Sequence, residues 1–173
     1  MRPRLGVLPF VITSALLMGC ASSEVRFEAH SNDERYASCG PTVVKELSEA
    51  LRGRQADLLY EAEIAEQVAA ALAIPNLAFD GAIKGDQRRV FSGCRQHYCP
   101  EKSVIVGSLE CEFRTAALGH FRNGDTRYET PMLLIISSDA DAWREDRPII
   151  EAWASSAYPA YTVREIILTN EVP

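Results

Sequence analysis

A short segment with two cysteines and one histidine is the most distinctive chemical feature of the sequence. It reads Cys94-Arg95-Gln96-His97-Tyr98-Cys99, and predicted strands lie on both sides of it. A bond between Cys94 and Cys99 would close a very short loop and remove loop entropy before any partner binds. An imidazole near the tip of that loop can donate and accept hydrogen bonds near neutral pH. The segment therefore predicts a rigid partner-binding loop. The alternative is a surface histidine in a hairpin whose disulfide serves stability alone.

The spacing of these residues resembles that of the Ivy family, the periplasmic inhibitors of vertebrate, chicken-type lysozyme. Family members carry a disulfide-closed loop with two residues before its histidine and one after it. The resemblance continues into Val104-Ile105-Val106. It implies a lysozyme or related glycosidase as partner, with His97 meeting the catalytic carboxylates in the enzyme's cleft. The chain departs from the family's usual lysine, proline and aspartate around the histidine at Arg95, Gln96 and Tyr98.

A second set of residues predicts a different chemistry. Cys39 lies at the start of a predicted helix, where the helix dipole can lower the pKa of a thiol. With His120 on a strand and Asp139 after the next strand, it resembles the cysteine, histidine and aspartate order of bacterial papain-like peptidases. In that alternative Cys39 is the nucleophile, His120 is the base and Asp139 orients the base. No glutamine stands a few residues before Cys39 to complete an oxyanion hole, so we favour a binding module over an enzyme.

The N-terminal residues predict export. Arg2 and Arg4 precede an uncharged apolar run over residues 5–18. A basic start followed by a short apolar run is typical of a secretory signal peptide, here over residues 1–19. The run is shorter than the roughly 20 apolar residues of a transmembrane helix.

The end of this run predicts lipid attachment. Leu17-Met18-Gly19-Cys20 resembles the bacterial lipobox, which implies cleavage before Cys20 and acylation of that cysteine, with palmitate among the acyl groups. An ordinary signal peptide is the alternative. Ala21 after the cysteine implies sorting to the outer membrane, facing the periplasm or the exterior. Contact with the membrane would then occur through the lipid anchor alone.

The charge of the chain narrows the choice of partner. The formal net charge is −6, and loss of Arg2 and Arg4 with the signal peptide lowers it to −8. This balance argues against nucleic acid and favours the encounter with a basic protein. We expect no cofactor, because the sequence has no Gly-rich phosphate loop and no haem-attachment motif. We expect no metal either, because Cys94, His97 and Cys99 lie too close together for the usual zinc spacing.

Four cysteines remain once Cys20 is assigned to lipid: Cys39, Cys94, Cys99 and Cys111. An even number in an oxidising compartment predicts two disulfides. Spacing alone leaves three pairings open. The short loop flanked by strands favours Cys94–Cys99, and Cys39–Cys111 then follows by elimination.

Hydrophobic patterning predicts a single α+β domain over residues 39–173, after a lipidated tether over residues 20–38. Two N-terminal amphipathic helices are predicted, one from Pro41 to a stop at Gly53 and one over residues 59–72. The later short apolar runs predict an antiparallel sheet of about five strands and a short C-terminal helix over residues 148–154. The strands are placed at residues 89–92, 103–107, 113–121, 132–137 and 162–168.

Two further groups of residues, one charged and one aromatic, can be interpreted as structural. Arg88-Arg89 and the stretch 144–147 are predicted to be solvated charged turns. Four aromatic residues near the C-terminus are compatible with either an aromatic binding surface or a core and its rim. They are Trp143, Trp153, Tyr158 and Tyr161.

Overall fold

The computed structural model of the protein describes residues 27–28, 34–76, 81–83 and 88–169. Within these residues, three helices surround a mostly β core. The predicted signal peptide, Cys20 and most of the predicted tether lie outside the described residues.

The three helices are interspersed among ten strands along the described chain. The helices are α1 (Glu34–Ala50), α2 (Ile64–Ala70) and α3 (Ala140–Ala157). The strands are β1 (Phe27–Glu28), β2 (Gln55–Asp57), β3 (Glu61–Glu63), β4 (Ile74–Pro75), β5 (Gly81–Ile83), β6 (Arg89–Arg95), β7 (Tyr98–Gly107), β8 (Phe113–Asn123), β9 (Thr126–Ser137) and β10 (Thr162–Leu168).

One mixed sheet of eight strands forms the centre of the described structure. Seven strands follow the order β1-β5-β6-β7-β8-β9-β10, and β4 pairs with β6 beside β5. Neighbouring strands are antiparallel except β10, which runs parallel to β9. Helix α3 supplies the long crossover that a parallel neighbour requires. Strands β2 and β3 form a separate hairpin.

Both faces of the central strands are buried, because successive side chains of a strand point to opposite faces of the sheet. On β7, Ile105 packs in the cluster that contains α1 and α2, whereas Val104 and Val106 pack in the cluster that contains α3. The apolar run that predicts this strand is continuous because it is covered on both sides. Helices therefore lie on both faces of the sheet.

A buried carboxylate also joins α3 to the sheet. Asp146 is fully buried and accepts hydrogen bonds from Arg88 at 2.7 Å and from the Nε of Arg114 at 3.2 Å. A buried charge is costly unless it is paired in this way. The prediction of a solvated turn at Arg88-Arg89 is therefore wrong, because Arg88 binds Asp146 and Arg89 is buried at the start of β6. The stretch 144–147 lies within α3 rather than in a turn.

The predicted fold class is wrong about the sheet and about the order of the elements. The sheet has eight strands rather than about five, and it is mixed rather than purely antiparallel. Strands β1, β4 and β5 have two or three residues each, too few to give a periodic pattern. The helices are not N-terminal as predicted, because β1 precedes α1 and the β2–β3 hairpin separates α1 from α2.

The predicted helix boundaries are wrong as well. Helix α1 begins at Glu34, inside the predicted tether, and contains Pro41 in its interior. The second helix, predicted over residues 59–72, is the short α2 preceded by a hairpin. The third begins well before residue 148, because the side chain of Asp139 caps α3 and accepts a hydrogen bond from the backbone N–H of Ala142 at 2.7 Å.

Candidate functional site

The predicted binding loop is the turn of the β6–β7 hairpin. Arg95 pairs with Tyr98, so Gln96 and His97 form the turn itself, and the Cys94–Cys99 disulfide closes it. Residues 96–100 are exposed. His97 has a φ of 66°, in the left-handed region where non-glycine residues are uncommon and histidine is among the enriched types. The turn therefore presents the imidazole at the tip of a covalently closed protrusion.

An ion pair holds the base of this hairpin. Arg95 Nη1 lies 2.6 Å from Glu101 Oε2, and Glu101 is 5% exposed. The guanidinium of Arg95 also lies over the ring of Tyr60, 5.3 Å from its centroid. A cation held by a buried carboxylate and an aromatic face has little rotational freedom. The hairpin is thus fixed to the β2–β3 segment immediately below its exposed tip.

The C-terminal end of α3 supports one face of the same hairpin. The hydroxyl of Tyr158 donates a hydrogen bond to the carbonyl oxygen of Pro100 at 3.2 Å, and Lys102 Nζ donates one to the carbonyl oxygen of Ala157 at 2.9 Å. Burial raises the pKa of Tyr158, so its hydroxyl stays protonated and remains a donor. The first residues of β7 are therefore anchored where they leave the turn.

The opposite face is supported by α2 and β4. Ser103 Oγ donates a hydrogen bond to the carbonyl oxygen of Val68 at 2.9 Å. A Cβ added at Gly93 would lie 2.7 Å from the carbonyl oxygen of Ile74 and 2.8 Å from that of Leu72. Glycine at this position lets the backbone of residues 72–74 lie directly against β6. The hairpin is thus braced on both faces, and its turn alone projects.

The second disulfide joins Cys39 of α1 to Cys111 in the connection between β7 and β8. Both disulfides agree with the pairing favoured from the sequence. Disulfides form and persist in oxidising compartments. The pair of bonds therefore indicates an exported protein.

The peptidase residues do not come together. Cys39 is bonded to Cys111 and has no free thiol. Asp139 caps α3, and the hydrogen bond from the backbone of Ala142 lowers its pKa. On the β8–β9 ladder His120 faces Met132, whereas Ser137, two residues before Asp139, faces Thr115. His120 and Thr115 are five residues apart along one strand, a distance of roughly 17 Å.

His120 has an unusual environment that the sequence alone does not reveal. The residue is fully buried. Its Nδ1 lies 2.6 Å from the carbonyl oxygen of Arg122 and must donate to it, while Nε2 is buried with no hydrogen-bond partner in the described part of the chain. Burial, and secondarily the charge of Arg164, lower its pKa to about 4. The ring is therefore neutral at physiological pH.

The C-terminal aromatic residues divide between core and cleft. Trp153 and Tyr158 are buried in the α3 side of the core. Trp143 and Tyr161 line a cleft of about 240 Å³ between α3 and strands β9 and β10. The interpretation as core and rim accounts for all four side chains.

The described residues contain no group of three or more histidine, cysteine, aspartate or glutamate side chains that could hold a metal ion. Over the same residues, no helix combines the length and the apolar character needed to cross a bilayer. No protein-family model, curated protein or solved structure matches this chain.

Proposed function

We propose that the protein is a bacterial envelope lipoprotein that binds and inhibits a chicken-type lysozyme or a related wall-cutting glycosidase. The His97 loop, residues Cys94–Cys99, is the part that enters the active-site cleft of the enzyme. The observation that carries the proposal is the exposed His97 turn on a hairpin that is closed by a disulfide and braced on both faces. A loop that is already ordered loses little conformational entropy on binding, so more of the interaction energy appears as affinity.

The chemistry of a glycosidase cleft suits an imidazole. These enzymes hold two carboxyl groups on either side of the bond they cleave, one protonated as the general acid and one ionised. The two nitrogens of His97 can donate to a carboxylate and accept from a carboxylic acid. A side chain bound there occupies the position of the substrate. The enzyme is then inhibited because the substrate cannot enter the cleft.

Charge supports the encounter between the two proteins. The chain has a net charge of −6, and the lysozymes inhibited by the family that its loop resembles are basic. Opposite charges raise the association rate and lose that effect as salt screens them. Added salt should therefore slow association more than it speeds dissociation.

A turbidity assay with lysozyme and bacterial cell walls tests this function. The soluble domain over residues 21–173, produced with its disulfides formed, should suppress wall lysis at micromolar concentration. Reduction of the Cys94–Cys99 bond should weaken the inhibition, because the loosened loop must be ordered on binding. Full lysozyme activity at a micromolar excess of the oxidised domain would contradict the proposed function.

Lipid attachment is tested separately at Cys20. A host that processes lipoproteins should incorporate labelled palmitate into the wild-type protein, and Cys20→Ser should abolish the label because the acylated thiol is gone. Cys39→Ser is the matched control, since it removes a cysteine that is bonded to Cys111 and should leave the label in place. An unlabelled wild-type protein in such a host would show that Cys20 is not an anchor.

A further inference from the structure

A pocket on another part of the molecule combines two cationic side chains with an apolar floor. It has a volume of about 300 Å³ and lies between the β2–β3 hairpin and the strands β9 and β10. This volume is at the lower end of the range for small-molecule sites. Arg54, just before β2, and Arg164, on β10, both line it. Both are half-buried rather than extended into solvent.

Neither Arg54 nor Arg164 forms an ion pair with another described residue, although the chain has more acidic than basic side chains. Six other arginines of the described structure pair with carboxylates, namely Arg88, Arg95, Arg114, Arg122, Arg144 and Arg147. Arg52, Arg89 and Arg127 form no ion pair among the described residues either, but they do not line this pocket. Arg164 is also near enough to His120 to help lower its pKa. Two uncompensated guanidinium groups at one pocket favour an anion there, because guanidinium binds planar anions through paired hydrogen bonds.

The floor of the pocket is apolar but exposes little surface. The side chains that form it are already buried and at most 7% exposed, namely Leu58, Ile64, Leu134 and Ile167. An apolar body over this floor would therefore gain little free energy from burial, and the two arginines supply the attraction. The pocket volume of about 300 Å³ still leaves room for a short hydrocarbon group beside the acid.

We propose that this pocket binds a small organic carboxylate, with the acid group between Arg54 and Arg164. The site uses none of the residues of the His97 loop. It is a second binding function, and it stands whether or not the protein inhibits a lysozyme.

The test is a two-dimensional amide NMR titration of the oxidised domain over residues 21–173 with hexanoate and with N-acetyl-leucine. Both probes have a carboxylate, which is attached to an alkyl chain in hexanoate and to an amino acid in N-acetyl-leucine. The probe that binds more tightly shows which of these two kinds of carboxylate the pocket prefers. Saturable shifts should concentrate at residues 54–58, 64, 134, 164 and 167. Hexanol, which lacks the acid, should bind at least about tenfold more weakly, because the loss of even one charged hydrogen bond accounts for that factor.

Three single variants separate the pocket from general charge effects. Arg54→Gln and Arg164→Gln should each weaken hexanoate binding about tenfold. Arg52→Gln removes the same charge from an exposed position outside the pocket and should bind as the wild type does. The proposal is overturned if hexanoate and hexanol bind the wild type equally, or if Arg52→Gln weakens binding as much as the pocket variants do. The wild-type comparison decides the question even if a pocket variant fails to fold.

Discussion

Replacement of His97 by asparagine should weaken lysozyme inhibition by roughly 30-fold to several thousand-fold and leave the domain folded. Loss of one partner from a buried, charged hydrogen-bonded pair costs about 2 to 5 kcal/mol, and each 1.4 kcal/mol is tenfold in affinity. The imidazole would form such a pair with a cleft carboxylate. The side chain lies in an exposed turn, so its loss removes little core burial.

Asparagine is the informative substitute because of the backbone at this position. The φ of 66° is tolerated by asparagine, whereas alanine would add strain of roughly 1 to 2 kcal/mol to the loss of the imidazole. His97→Gly relieves the strain and also removes the ring, so it should be as defective as His97→Asn and at least as stable. The measurements are the inhibition constant and the thermal midpoint of each variant.

Glu110→Gln is the matched control. Glu110 is exposed in the connection between β7 and β8, at the end of the sheet opposite the His97 turn. Its substitution changes the net charge without touching the loop, so the inhibition constant should stay within about twofold. If His97→Asn inhibits as strongly as the wild type, the loop is not the inhibitory element.

The central strands could be predicted from the sequence because they are buried on both faces. The apolar runs at residues 103–107 and 132–137 coincide with parts of β7 and β9. The parallel strand β10 was not predicted as such, because strand direction depends on the path of α3 rather than on the residues of the strand itself. The strand itself was predicted at its observed position, residues 162–168. Strands β1, β4 and β5 at the other edge of the sheet were missed because they have only two or three residues each.

The misassigned second helix has a specific cause. Leu59, Ile64 and Val68 recur at nearly helical spacing, yet a hairpin and one short helix bury them equally well. Gln67, a polar residue within that predicted helix, is fully buried. Its Oε1 accepts from the backbone N–H groups of Leu58 and Leu59. An amide that satisfies turn residues in this way looks like an ordinary surface residue in the sequence.

The two candidate sites also differ in how far the sequence alone reveals them. The His97 loop could be found from the sequence because all of its parts lie within six consecutive residues. Arg54 and Arg164 are far apart in the chain and meet only through the position of β10 beside the β2–β3 hairpin. Asp146 and Arg88 are 58 residues apart, so their ion pair has no local signature either. Contacts of this kind depend on tertiary structure, which periodicity does not report.

The pH dependence of stability should carry a component from His120. Its pKa is about 4 in the folded protein and 6.5 in the unfolded chain. Between these values the unfolded chain binds a proton that the folded protein does not, so the free energy of unfolding falls as the pH falls. Below pH 4 both states are protonated and this component becomes constant. From pH 7.5 to pH 4.5 the expected loss is roughly 2.5 kcal/mol.

His120→Gln isolates this component, because its side-chain amide can still donate to the Arg122 carbonyl and does not titrate. Urea unfolding at pH 7.5 and pH 4.5 gives, for each protein, the loss of unfolding free energy between the two pH values. Carboxylates contribute equally to the loss in the wild type and in the variant, so the difference between the two losses reports His120 alone. The wild-type loss should be the larger by about 2.5 kcal/mol, and NMR of the wild-type imidazole should show a midpoint near pH 4. Equal losses in the two proteins would mean that burial and the charge of Arg164 do not depress the pKa of His120. The variant also keeps the His97 loop intact, so it should inhibit lysozyme at neutral pH as the wild type does.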